Sequence, residues 1–261
     1  MSRSAPWLVR RNPSVLLALV LALSVLTLLL TEPLPLVALY GALAVGACVG
    51  ARLHPWRFAR AQVPFLLFGT GLVVVNALAR PGEPLWPDAP VRVTAEGLSI
   101  GVVLALRALV IGVGAVAFAT SAEPRRLVVS LVQHARLSPR IAYALLAGHR
   151  LLGELPRQWR TITRAHAVRL PVSERRRGRA SREPRLGVRA LARCAFTLLV
   201  VSIRSSERTA FALESRGLGP GPRTVWRPVA LGWPDGALVA GVALLAWLAL
   251  LAPRAAGALP A

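Results

Sequence analysis

The 261 residues include no lysine, only two cysteines and a single methionine, and 11 acidic side chains stand against 32 arginines. Cys48 and Cys194 lie in apolar surroundings at no metal or redox spacing and read as packing residues. The constellations of catalysis are missing too. His54, His134, His149 and His166 are isolated, none four residues from another or beside a carboxylate pair, so the pattern of a zinc or hydrolytic site is lacking. No GxxxxGK[ST] phosphate loop occurs either, so the chain is not expected to hydrolyse ATP itself. No metal, no cofactor and no enzymatic activity are expected of it.

What is present is hydrocarbon. Hydrophobic residues make up 55% of the chain and gather in long runs without charge. Because backbone amides inside a bilayer must be paired internally, a spanning helix needs about 20 apolar residues. Residues 12–31, 33–51, 61–79, 97–122 and 236–253 qualify, the fourth interrupted only by Arg107. The expected fold is an all-α integral membrane protein of about five transmembrane helices. A cleaved signal peptide is the competing reading of the first run, since Arg10 and Arg11 precede it. The run is longer than a usual signal core, no small-x-small cleavage site follows, and a second span begins at once.

Arginine in short flanking loops marks the cytoplasmic side. Arg3, Arg10 and Arg11 precede the first run, and Arg52, Arg57 and Arg60 follow the second. Glu32 is the only charge in the first hairpin, and RPGEPLWPDAPVRVTAEG balances two arginines against three acids between the third and fourth runs. These sets alternate, which places the N-terminus in the cytoplasm of a multi-pass cell-membrane protein. Three parts follow: a four-helix transmembrane part over 1–122, a basic cytoplasmic region over 123–232, and a last transmembrane helix with the C-terminal tail over 233–261.

Between residues 121 and 232 there are 22 arginines and 6 acids. Uniform basicity would suggest nucleic acid, with Arg175 to Arg185 as its contact, but charge confined to one segment argues for membrane topology first. Arg189, Arg193, Arg204, Glu207 and Arg208 share about 100° of a helical wheel, with Leu191, Leu198, Leu199 and Val201 largely off it, as in a long amphipathic helix along the membrane face. SERRRGRASREP, residues 173–184, reads as a polar connection drawn to anionic lipid headgroups.

Two segments of the basic region look like versions of each other. Ala165 stands four residues before Arg169, and Ala212 four before Arg216, so each small residue shares a helical face with its arginine. Pro171 follows the first arginine and Gly217 the second, so both sit at apparent helix ends. A planar cation there suits an acidic groove on another protein. The competing reading makes Arg216 and Gly217 only a favourable helix cap.

LSPRIAYALLAGHRLLGELPRQWRTITRAHAVRL, and then SIRSSERTAFALESRGLGPGPRT, resemble the cytoplasmic signature of the T component of energy-coupling-factor transporters, the CbiQ-like family. VTAEGLSIG, the ALRAL around Arg107 and TSAEPRRLVVSLVQ extend the likeness over roughly residues 90–228. The most specific element is Ser215-Arg216-Gly217, similar to an Ala-Arg-Gly box. The first box falls on Val168-Arg169-Leu170, which keeps the arginine and loses both small neighbours.

The resemblance implies a non-catalytic coupling subunit of an ATP-driven importer. Its partners would be two cytoplasmic ABC ATPases, which bind the ATP, and a separate membrane S component that captures a vitamin or transition-metal ion. Arg216 and Arg169 would each dock in an ATPase groove at the end of a coupling helix, with Ala212, Ser215 and Ala165 permitting close approach. Arg107, inside the fourth run, needs a partner: a backbone carbonyl or helix end of the cytoplasmic region, or Asn76 on the third run. The alternatives are a permease that binds substrate itself and a basic scaffold without an ATPase. The first predicts polar residues in several spans, and apart from Arg107 and Asn76 the spans are nearly bare.

Overall fold

The computed structural model describes residues 6–83, 85, 93–168, 187–218 and 228–256. Its helices are α1 (Pro13–Leu26), α2 (Pro33–Ala51), α3 (Pro55–Ala79), α4 (Ala95–Ser121), α5 (Pro124–His134), α6 (Pro139–Val168), α7 (Val188–Ser215) and α8 (Trp233–Ala256), and no strand occurs among the described residues. Proline occupies the first turn of α1, α2 and α3. Its missing N–H costs nothing there, because the first amides of a helix have no partner within it. Asn12 caps α1 by accepting from the Ser14 amide at 3.0 Å, and Thr94 caps α4 by accepting from the Gly97 amide at 3.2 Å.

Among the described residues four helices are long and apolar enough to cross a membrane: α2, α3, α4 and Trp233–Leu251 of α8. The protein is an all-α integral membrane protein, and the first of the expected spans is its shortest apolar helix. There α1 has 14 residues and passes into a three-residue 3-10 turn, Thr27–Leu29. The apolar rod is therefore about 27 Å long, just under a hydrocarbon core of about 30 Å. Thr27 donates its hydroxyl to the Ser24 carbonyl at 2.8 Å, and the helix ends where Leu30 turns extended, three residues before Pro33.

The chain divides into two compact units, Met1–Ser130 with Val229–Ala261, and Leu131–Pro228. In the first, α4 packs against α1, α2 and α3, while α8 lies on α1 and α2. Leu23, Leu36, Leu39, Val103 and Val110 form one buried cluster, and Ala47, Phe58, Val113 and Val116 another. The outward faces are apolar as well: Leu34 is 76% exposed and Val49 73%. Water would tolerate such a surface poorly, whereas lipid suits it.

The α3–α4 hairpin is the tightest seam. A Cβ on Gly97 would stand 2.3 Å from the Asn76 carbonyl oxygen, and one on Gly101 would stand 2.8 Å from the Val73 Cα. A Cβ on Gly69 would stand 3.1 Å from that of Ala105. Small residues four apart let the two backbones touch, the usual device of helices that associate inside lipid. At the open end Thr94 donates its amide to the Ala77 carbonyl at 3.1 Å and its hydroxyl to the Arg80 carbonyl at 3.2 Å.

Among its described residues the second unit has two long helices, α6 of 30 residues and α7 of 28. The N-terminal half of α6 meets the C-terminal half of α7 across a groove of about 510 Å³, with Ala144, Ala147 and Gly148 on one wall and Thr209, Ala210 and Leu213 on the other. Among this unit's described residues only Ala142 and Cys194 are fully buried. Phe196 and Phe211 are 68% and 70% exposed.

Candidate functional site

The end of α7 carries the residues singled out in the second box. Gly217 takes a left-handed conformation, φ 82°, which a side chain would resist. Its amide donates to the Glu214 carbonyl at 2.8 Å, and the Leu218 amide reaches back to the Leu213 carbonyl at 2.9 Å. Together these make a Schellman ending, which closes the helix cleanly at Arg216. Ser215 turns its hydroxyl inward to the Ala212 carbonyl at 3.1 Å. Phe211, Ala212, Ser215 and Arg216 are all exposed, and the Arg216 guanidinium has no hydrogen bond or ion pair among the described residues.

The first box is only partly visible. Ala165 lies exposed in the last turn of α6, and Arg169 lies outside the described residues, as does the basic 173–184 connection. Ala165 and Arg216 are not brought together. The groove places Arg140 to Leu151 of α6 beside the end of α7, and Ala165 stands about 21 Å further along α6.

Arg107 sits about 18 Å along α4. Its Nη2 donates to the carbonyls of Leu30 at 2.8 Å and Leu28 at 3.3 Å, while its Nε is buried without a partner among the described residues. The guanidinium therefore caps the early C-terminal end of α1, where unpaired carbonyls concentrate negative charge. The partner is a backbone carbonyl at a helix end, as one of the two expectations had it, but it belongs to the end of the apolar α1 and not to the basic region. Asn76 instead donates to Leu72, one turn back on its own helix, at 2.9 Å, and accepts from Arg80 at 3.4 Å.

A polar knot at the other end of the same unit was not anticipated from sequence. The Asn12 amide donates to Asp235 Oδ1 at 3.1 Å, Asp235 Oδ2 accepts from the Gly232 amide at 3.0 Å, and Arg11 stands 3.9 Å from the carboxylate. The Ser130 hydroxyl donates to Asn12 Oδ1 and that of Ser14 to Ser130. Arg126 donates to the Val9 carbonyl at 2.6 Å. Asn12, Ser130 and Asp235 are each at least 94% buried, so the start of α1, the body of α5 and the start of α8 are held at one point. The available signal was a lone Asp235 opening an apolar helix, with Asn12 before Pro13.

Among the described residues no three His, Cys, Asp or Glu side chains gather to hold a metal ion. The site's chemistry is that of a free cation at a helix tip. No curated protein matches the chain. The family model CbiQ, described as cobalt transport protein, matches residues 4–225.

Proposed function

The chain belongs to the CbiQ family and is a multi-pass membrane component of a transport system; from that premise we propose that it is the coupling subunit of an ATP-driven importer of the energy-coupling-factor type. Two cytoplasmic ABC ATPases bind the ATP, a separate S component captures a vitamin or transition-metal ion, and this subunit, itself non-catalytic, carries displacement between them. The N-terminus and the arginine-rich region face the cytoplasm of the cell membrane, where the 173–184 connection meets anionic headgroups.

The observation that carries the reading is the unpaired Arg216 at a helix tip that Gly217 ends sharply. A guanidinium with no partner among the described residues is available to a carboxylate in a groove. The exposed Phe211 and the small Ala212 and Ser215 allow the groove wall to approach. Arg169, with Ala165, serves the second ATPase in the same way. Helices of 30 and 28 residues are stiff enough to pass the closure of a nucleotide-driven pair into the membrane.

Arg216→Glu places like charges in contact and is expected to abolish co-purification of the ATPases and uptake, while Arg216→Lys retains part of both. Truncating one partner of such a buried pair costs about 2–5 kcal/mol. Normal assembly and uptake by Arg216→Glu would refute the assignment.

A further inference from the structure

The transmembrane unit is left unfilled along one seam. A cavity of about 560 Å³ lies between α1, α2, α4 and α8, and a second of about 370 Å³ continues between α1 and α8. Both are lined by Leu19, Leu23 and Val242, so they form one furrow, open at one end beside Trp7 and reaching Trp247 and Leu250 at the other. Gly46 and Gly241 line the first cavity, and a Cβ built on either meets no atom within 4 Å. Glycine is the poorest helix former after proline. In the α3–α4 seam its use is explained by backbones in contact, but at Gly46 and Gly241 nothing among the described residues comes close.

The lining identifies what fits. Water is unsuited to a furrow whose walls offer almost no polar group. Each cavity holds about half or less of the roughly 1,200 Å³ that three turns of helix occupy, so a partner helix does not enter. Along α8 the furrow runs from Ala237 to Leu250, about 20 Å, comparable with the roughly 15 Å depth of one leaflet's hydrocarbon. At its Trp7 end the charge is positive: Arg10 is exposed, and the Arg11 guanidinium stacks 4.9 Å from the Trp7 ring centre. Tryptophan favours the headgroup level, and arginine binds phosphate through paired hydrogen bonds.

We propose that this furrow is a phospholipid site, in which one acyl chain completes the packing between α1 and α8 and Arg10 holds an anionic headgroup beside Trp7. The proposal shares with the proposed function only the membrane setting, and its test needs no ATPase, so either can fail alone.

The full-length chain in detergent is titrated with palmitoyl-oleoyl phosphatidylglycerol, and in parallel with the matching phosphatidylcholine, with retained lipid read by native mass spectrometry. One phosphatidylglycerol per chain is expected. Gly46→Leu and Gly241→Leu, which fill the furrow, are expected to weaken retention about tenfold, the effect of excluding roughly two methylenes, without lowering the melting temperature. Arg10→Gln is expected to erase the preference over phosphatidylcholine. Unchanged retention in both leucine variants would overturn the acyl site, and equal retention of the two lipids by the wild type would overturn the headgroup assignment. As a check on the unmutated chain, phosphatidylglycerol with a mid-chain diazirine should label α1 and α8 on irradiation. Labelling confined to α2 and α3 would contradict the site.

Discussion

A guanidinium midway along a 27-residue apolar helix must be satisfied by something other than water, and at Arg107 that partner is the backbone of another helix. Because α1 ends early, the carbonyls of Leu28 and Leu30 stand within reach of Nη2. Arg107→Leu strips both acceptors of their donor, and a loss of about 1–3 kcal/mol in the stability of the purified protein is expected. Arg107→Lys, with a single point charge, should lose less. Calorimetry or denaturant titration in detergent checks the order. Asp235 makes a second case, since its carboxylate accepts from two amides beside Arg11. Asp235→Ala is expected to cost about 2–3 kcal/mol. The Asn12→Ala/Asp235→Ala double variant should cost less than the two singles summed, because both act on one network.

At the scale of helices, the same residue type serves two ends. A Cβ at Gly101 meets the backbone of α3, whereas one at Gly241 meets open space. Gly101→Ala should therefore destabilise by about 1–3 kcal/mol as the α3–α4 seam is forced apart, while Gly241→Ala should be neutral or stabilising by up to about 1 kcal/mol. Melting curves of the two variants, run side by side, test the contrast. The helices themselves were largely legible, because uncharged runs near 20 residues mark spans whatever they pack against, and the glycine after Arg216 marks a helix end by local sterics alone. The short first helix was not. Its last carbonyls are met by Arg107 from α4, a contact that an apolar run does not encode. The polar knot was equally hidden, since Asn12, Ser130 and Asp235 are separated by more than a hundred residues and meet only in the folded chain.

For the whole molecule, charge and hydrocarbon are divided. One unit holds the apolar spans, and the described residues of the other are two long helices that bury few side chains. Helices that bury so little gain little from folding alone, and exposed rings such as Phe196 and Phe211 leave apolar surface open. Membership of the CbiQ family places the chain in membrane transport. Its coupling role depends on whether the tip of α7 touches a nucleotide-driven motor. Phe211, exposed and five residues before Arg216, can be replaced by p-benzoylphenylalanine with little change of shape, and irradiation of native membranes then reports whatever lies against this end of α7. An ABC ATPase subunit cross-linked at that position, and lost in an Arg216→Glu background, is the predicted result. Cross-links to lipid or other proteins, with no ATPase among them, would contradict the account.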